Sequence, residues 1–168
     1  MKAINQQMYN ERALNSETKY WIRSYEKRWG YNSVVIDMMN KLEFDSVLEA
    51  GSMGLPLAVE GETLDKNDKF HPTYIHDLTV FPYPFKDKQF DLFVALQVWE
   101  HLGESQRPAF LEAARIAKNV ILSFPYKWKA GSAIHIGVDE NVIAGWTHNI
   151  PPVEIVQVKG RIIYRWEF

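Results

Sequence analysis

The sequence predicts a doubly wound α/β protein whose mostly parallel, seven-stranded sheet ends in an antiparallel hairpin. Residues 90–96 (FDLFVAL) form a nearly continuous apolar run, which is typical of a central parallel strand covered on both faces. Near the end of the chain, residues 153–158 and 161–168 flank Lys159-Gly160, and apolar and charged residues alternate in the second run. This alternation predicts two antiparallel strands with one buried face. Helical segments between the earlier strands favour parallel pairing elsewhere.

Length and composition favour one soluble domain. The chain has 168 residues, 46% hydrophobic and 24% charged, and we expect one core over residues 1–168, with N-terminal helices in 1–44 and the sheet in 45–168. The net charge of −2 gives no electrostatic reason to bind nucleic acid or an anionic membrane. The absence of cysteine excludes disulfides and thiolate chemistry. No secretory signal or membrane-spanning run is evident, so the prediction is a cytoplasmic protein.

The N-terminal third is predicted to be helical. Ser16 is the candidate N-cap of a helix that Gly30 ends, and an apolar stripe over 35–42, opened by Asn32 or Ser33, predicts a second helix. The remaining predicted elements are strands at 46–50, 63–65, 73–76 and 120–124 and a helix over 105–118.

Polar residues follow three of these strands. Residues 48–54 (LEAGSMG) place Glu49 two residues before Gly51, in a turn that lets a ligand approach the backbone. Asp65 could accept hydrogen bonds from a ribose diol, and Asp77 from the exocyclic amine of a purine. Each feature also has a purely structural interpretation, since turns without ligands use the same residues.

The most specific pattern is P-F-x-x-x-x-F-D-L-x-x-x-x-x-x-x-E-H-L over residues 84–102, where a buried strand ends in a polar cluster. Here the chain resembles the class I S-adenosylmethionine-dependent methyltransferases, especially the group with a methyltransferase type 11 pattern. The resemblance covers about residues 45–125 and implies a Rossmann-like methyltransferase fold with S-adenosylmethionine as cofactor. The C-terminal hairpin resembles the sixth and seventh strands of that family.

The resemblance also implies a cofactor site. It assigns the methionyl part to Glu49, Gly51, Ser52, Met53 and Gly54, the ribose to Asp65 beside Lys66, the adenine to Asp77 and Leu78, and the sulfonium side to Leu96, Gln97 and Val98. Two features depart from the family: Met53 and Leu55 stand at its later glycine positions, and about nine residues separate Gly54 from the second strand. The first crossover must therefore be little more than a turn.

Two histidines are candidate catalytic residues. A hydroxyl acceptor benefits from a general base, and His101 and His135 follow the fourth and fifth strands. Gln97, Glu100 and His101 have the i, i+3, i+4 spacing of one helical face, and some methyltransferases with an E-x-x-E-H pattern bind a divalent ion there. The neutral amide of Gln97 is a poorer Mg²⁺ ligand than a carboxylate, so we expect no metal.

Aromatic and basic residues interleave in residues 19–28, a pattern that also suggests binding of single-stranded nucleic acid. Helical geometry argues against this, because the aromatic stripe formed by Trp21, Tyr25 and Trp29 lies roughly opposite the bases Lys19, Arg23 and Lys27, with Arg28 as the exception. The segment could instead cover a substrate pocket. The sequence therefore predicts O- or N-methylation of a small molecule. The alternatives are a catalytically silent cofactor-binding or scaffold subunit, or a nucleotide-binding protein or NAD enzyme.

Overall fold

Seven strands form one sheet in the computed structural model, which describes residues 1–168. The strands are β1 (Val47–Ala50), β2 (Glu62–Asp65), β3 (Tyr74–Ile75), β4 (Phe90–Leu96), β5 (Ala117–Pro125), β6 (Glu154–Val158) and β7 (Arg161–Glu167), and the helices are α1 (Gln6–Leu14), α2 (Lys19–Asn40), α3 (Gln106–Ile116) and α4 (Glu140–Trp146). The sheet order is β3-β2-β1-β4-β5-β7-β6. Strands β1 to β5 pair in parallel, whereas β7 runs antiparallel to both β5 and β6. The predicted fold class is confirmed.

Helices cover both faces of the sheet. Along β4, Phe93 belongs to the core cluster that includes α3, whereas Leu92 and Val94 belong to the cluster that includes α1 and α2. Because neighbouring strand residues point to opposite faces, a strand buried on both sides must be apolar at nearly every position. This explains the continuous apolar run of β4. None of the helices combines the length and apolar character needed to cross a membrane.

The predicted boundaries of the N-terminal helices are wrong. Helix α2 is capped by Thr18 rather than Ser16, and it passes through Gly30 without interruption to Asn40. A glycine inside a helix costs only about 1 kcal/mol relative to alanine, so local propensity is a weak stop signal. Apolar side chains between Trp21 and Met39 are buried along this helix, and the free energy of their burial offsets that cost. Helix α4 was not predicted at all.

The connection between β1 and β2 contains no helix, as the short spacing predicted. Instead, a segment without helix or regular strand, residues 55–59, is held from both sides. Arg12 donates hydrogen bonds to the carbonyl oxygens of Pro56, Ala58 and Val59 at 2.7–2.9 Å. Backbone pairing with residues 2–4 adds further hydrogen bonds. The N-terminus therefore replaces the packing that a crossover helix would supply.

Candidate active site

Two cavities adjoin above the carboxyl ends of β1, β2 and β4. The larger has a volume of about 380 Å³ and the smaller about 290 Å³, near the lower end of the range for small-molecule sites. Four residues line both cavities and form their common boundary: Gly51, Met53, Gln97 and His101. Parallel strands that end at one edge of a sheet create this crevice.

The smaller cavity is polar on one side and apolar on the other. Asp65 accepts a hydrogen bond from the amide of Asn67 through Oδ1 at 2.9 Å, which leaves Oδ2 without a protein donor. Asp77 Oδ1 accepts from the backbone amide and the hydroxyl of Thr79, both at 2.9 Å. These bonds, led by the Thr79 amide, hold the pKa of Asp77 below its usual value. Both aspartates thus brace turns and still present one carboxylate oxygen.

The boundary between the cavities requires glycine at position 51. Gly51 has φ +67°, and a Cβ there would lie 2.6 Å from Cγ2 of Val98. A side chain would therefore collide as well as strain the backbone. Just after the adjacent strand β4, the backbone N–H and the side-chain amide of Gln97 each donate a hydrogen bond of 3.1 Å to the hydroxyl of Ser123.

Neither bulky residue near the crevice fills it. Trp99 is fully buried, packs edge-on against Phe93 and donates its indole N–H to the carbonyl of Gln106. Met53 has φ +52°, and its carbonyl accepts a hydrogen bond of 3.0 Å from the indole of Trp21. Helix α2 is thereby attached to the loop after β1 and covers the larger cavity.

Glu49 lies in the wall of the larger cavity but is committed to the protein itself. Its two carboxylate oxygens accept the backbone amides of Leu57 and Ala58, each at 2.7 Å. Burial raises the pKa of Glu49, while these two amides and the nearby charge of Arg12 oppose the rise. The side chain therefore fixes the segment after the glycine turn and borders the cavity without being free to bind strongly.

An unpartnered carboxylate lines the larger cavity. The Glu100 side chain is fully buried, and neither oxygen has a hydrogen-bond donor. Burial raises its pKa from 4.5 to about 7, against the opposing charges of Arg161 and Arg28. The Nε2 atoms of His135 and His101 lie 3.8 and 4.0 Å from Glu100 Oε1. An orphaned buried carboxyl is rare, and one that holds a proton near neutral pH suits proton transfer.

The histidines complete a cluster with Glu100. His135 Nδ1 lies 2.7 Å from the hydroxyl of Ser132, which orients the ring, and its centroid is 5.3 Å from that of His101. Burial, followed by the charges of His135 and Lys66, lowers the pKa of His101, which keeps its ring neutral at physiological pH. The three groups offer ligand atoms within 4.8 Å of one another and could also hold a divalent ion.

The structure brings nearly all the predicted site residues together. Four of them line the larger cavity alone: Glu49, Ser52, Leu96 and His135. Five line the smaller cavity alone: Asp65, Lys66, Asp77, Leu78 and Val98. The remaining four line both cavities: Gly51, Met53, Gln97 and His101. Gly54 is exposed and lines neither cavity.

Sequence reasoning missed several cavity residues. Tyr31, Trp128 and Arg161 also line the larger cavity, and Glu100 was considered only as a metal ligand. Arg161 opens β7, and its alternation with apolar neighbours indicated a solvent-facing side chain. The missing signal was its position opposite Pro125, at the end of β5 that borders the crevice.

Comparison with known proteins identifies the architecture. Residues 58–120 match a family described as "Methyltransferase domain". The N-methyltransferase NodS from Bradyrhizobium japonicum WM9, solved in complex with S-adenosyl-L-homocysteine, is similar with 16% identity and a TM-score of 0.65 over 96% of both chains. The chain has the class I methyltransferase fold. The resemblance expected from the sequence is confirmed.

Other methyltransferase structures share this fold. An S-adenosylmethionine-dependent methyltransferase from Clostridium acetobutylicum ATCC 824 has 13% identity and a TM-score of 0.63, over 96% of this chain and 99% of that one. The 16S rRNA methylase RmtB has 13% identity and a TM-score of 0.62, over 98% of this chain and 76% of that one. No curated protein matches significantly. The methyltransferase-domain match includes Asp65, Asp77 and β4 but begins after the glycine turn, where the sequence departs from the family.

Proposed function

We propose that this protein is an S-adenosylmethionine-dependent methyltransferase that transfers a methyl group to an oxygen or nitrogen of a small molecule. One observation carries the proposal: two adjoining cavities meet at Gly51 and Gln97, so that a cofactor in one can face an acceptor in the other. The methyltransferase-domain match and the fold shared with an enzyme that binds S-adenosyl-L-homocysteine support it.

The residues of the smaller cavity fit the cofactor. Asp65 Oδ2 is free to accept hydrogen bonds from a ribose diol, and Asp77 with Leu78 offers one acceptor beside an apolar surface for the adenine. The bare backbone at Gly51 lets the methionyl part approach closely. When bound, S-adenosylmethionine supplies an electrophilic methyl carbon on a positively charged sulfur. Met53 and Leu55, at the later glycine positions, do not close this space.

The residues of the larger cavity act on the acceptor. Alignment and exclusion of water supply much of the rate of a direct displacement, and α2 covers the cavity on the side away from the sheet. A hydroxyl must lose its proton as the new bond to carbon forms, and a protonated amine must lose one before its lone pair can attack. The Glu100 carboxylate, or the imidazole of His101 or His135 beside it, accepts that proton.

The size of the larger cavity favours a small acceptor over nucleic acid. Trp21 is buried, while Lys19, Arg23 and Lys27 are exposed on the other side of α2, so bases could not stack where phosphates would bind. Methylation of RNA, as in the 16S rRNA methylase RmtB, is the alternative outcome of the acceptor test.

The test measures cofactor binding and turnover separately. Calorimetric titration with S-adenosyl-L-homocysteine should show one site per chain, and Gly51→Val should abolish binding. Gly145→Ala, in α4 with free space around it and away from both cavities, should not. Methyl transfer from labelled S-adenosylmethionine is then assayed against panels of small hydroxyl and amine compounds and against RNA. Binding without any turnover would favour the silent subunit, and preferential binding of NAD would overturn the proposal.

A further inference from the structure

Two arginines in the larger cavity have no acidic partner. Arg28, on α2, and Arg161, at the start of β7, both line the cavity and are half-buried, and neither forms an ion pair within 4.0 Å. The other half-buried arginines have carbonyl or carboxylate acceptors, which Arg28 and Arg161 lack: Arg12 binds three carbonyl groups, Arg115 pairs with Glu112 and Asp87, and Arg165 pairs with Glu154. The contrast singles out Arg28 and Arg161.

Aromatic rings hold the two guanidinium groups in place. The guanidinium carbons of Arg161 and Arg28 lie 4.8 and 5.8 Å from the centre of the Tyr31 ring, so both charges share one aromatic neighbour. Trp128 lies 5.3 Å from Arg161, and Tyr20 lies 4.8 Å from Arg28. A guanidinium held against a ring keeps its N–H edge free, which is the geometry that binds carboxylate and phosphate oxygens.

The pair carries unsatisfied positive charge. Nε of Arg161 is buried without a hydrogen-bond partner, and the only hydrogen bond from the Arg28 side chain goes to the Tyr31 hydroxyl. Of the two acidic residues that line the cavity, Glu49 is bound by backbone amides and Glu100 is more than 4.0 Å from both arginines. Two neighbouring cations without a counter-ion are costly unless a ligand supplies the negative charge.

The position of Arg161 assigns that charge to the acceptor. In the strand order β1-β4-β5-β7, Arg161 is on the third strand from Gly51, roughly 14 Å away at ~4.8 Å per strand, and on the side opposite Asp65. Glu100 and His101 follow β4, and His135 follows β5, which are the two strands between β1 and β7. We propose that Arg28 and Arg161 bind an anionic group of the methyl acceptor, a carboxylate or a phosphate, and thereby place its nucleophilic atom beside Glu100. This inference rests on the proposed function.

The experiment uses the complete protein saturated with S-adenosyl-L-homocysteine and two probes, inorganic phosphate and acetate. Trp21 and Trp128 line the cavity, so intrinsic fluorescence at constant ionic strength reports binding. We expect at least one anion to bind the wild type and to bind Arg161→Met and Arg28→Met about tenfold or more weakly, because each lost charge-assisted bond is worth on the order of a tenfold factor. The exposed Arg23 provides the control, and Arg23→Met should bind as the wild type does.

The affinity for S-adenosyl-L-homocysteine separates the two sources of an anionic group. If the arginines bind the acceptor, Arg161→Met leaves this affinity unchanged. If instead they hold the cofactor's own carboxylate, the affinity for S-adenosyl-L-homocysteine falls in both variants. The affinity for 5′-methylthioadenosine, which lacks that carboxylate, then stays unchanged, and the inference is overturned.

The inference is also overturned if neither anion binds wild-type protein that does bind S-adenosyl-L-homocysteine. Absence of S-adenosyl-L-homocysteine binding would instead refute the proposed function. Should Arg161→Met fail to fold, Arg161→Lys replaces it, since lysine keeps the charge but lacks the planar N–H donors of a guanidinium group. An anion affinity of Arg161→Lys equal to that of the wild type would also refute the role of Arg161.

Discussion

Replacing Glu100 with glutamine should make the protein more stable at alkaline pH. Burial raises the pKa of Glu100 from 4.5 to about 7, so the folded state holds this proton more tightly than the unfolded chain does. The resulting stability is fully present below about pH 4.5 and is lost as pH rises through about 7. At ~1.4 kcal/mol per pH unit, the ionised carboxylate costs on the order of 3 kcal/mol, with no discount for solvent because the side chain is fully buried.

Urea unfolding of the wild type and Glu100→Gln measures this cost. Near pH 8.5 the free energy of unfolding of the variant should exceed that of the wild type by about 3 kcal/mol. Near pH 5 this difference should be smaller by roughly 2–3 kcal/mol, because glutamine stays neutral at both pH values whereas Glu100 is protonated in the folded wild type at the lower one. Other titrating groups cancel in the comparison. Glu104→Gln, at an exposed position, controls for removal of a carboxylate and should show no such difference. If the difference in free energy of unfolding between the wild type and Glu100→Gln does not depend on pH, the claim that burial raises the pKa of Glu100 is refuted.

Three further predictions concern the site. In a calorimetric titration, Asp65→Ala should weaken S-adenosyl-L-homocysteine binding by about 1–3 kcal/mol, because a ribose hydroxyl loses its acceptor. The control Asp68→Ala, at a neighbouring exposed carboxylate, should leave the affinity unchanged. Equal affinities of Asp65→Ala and the wild type would mean that another residue holds the ribose. If Glu100 accepts the proton, kcat/KM should rise with pH through about 7, and this rise should disappear in Glu100→Gln; a profile retained in the variant would assign the proton to a histidine. We also expect EDTA to leave turnover unchanged and Mg²⁺ or Mn²⁺ titration to give no heat, whereas activity lost with EDTA and restored by Mn²⁺ would show that Glu100, His101 and His135 form a metal site.

The sheet could be predicted because its signals are local. Residues 90–96 are apolar at nearly every position, which indicates a strand buried on both faces. The alternation of apolar and charged residues after Gly160 indicates the antiparallel strand at the edge of the sheet. The helix boundaries at Ser16 and Gly30 failed because tertiary packing overrode weak capping and glycine signals.

The acceptor side of the site was harder to predict than the cofactor side. The residues around Gly51, Asp65 and Asp77 each follow a strand, so their position at the sheet edge follows from the strand pattern. Arg28, Arg161 and the buried state of Glu100 depend on how α2 lies over the sheet and how β7 pairs with β5. Those are contacts between distant segments, and neither periodicity nor spacing reports them.

The crystal structure of the protein with S-adenosyl-L-homocysteine tests the central claim most directly. We predict adenosine density in the smaller cavity, with the ribose hydroxyls on Asp65 and the sulfur at the boundary between Gly51 and Gln97, facing Glu100. Adenosine bound elsewhere, or side chains occupying the smaller cavity at saturating ligand, would contradict the assignment of this crevice as the site of methyl transfer.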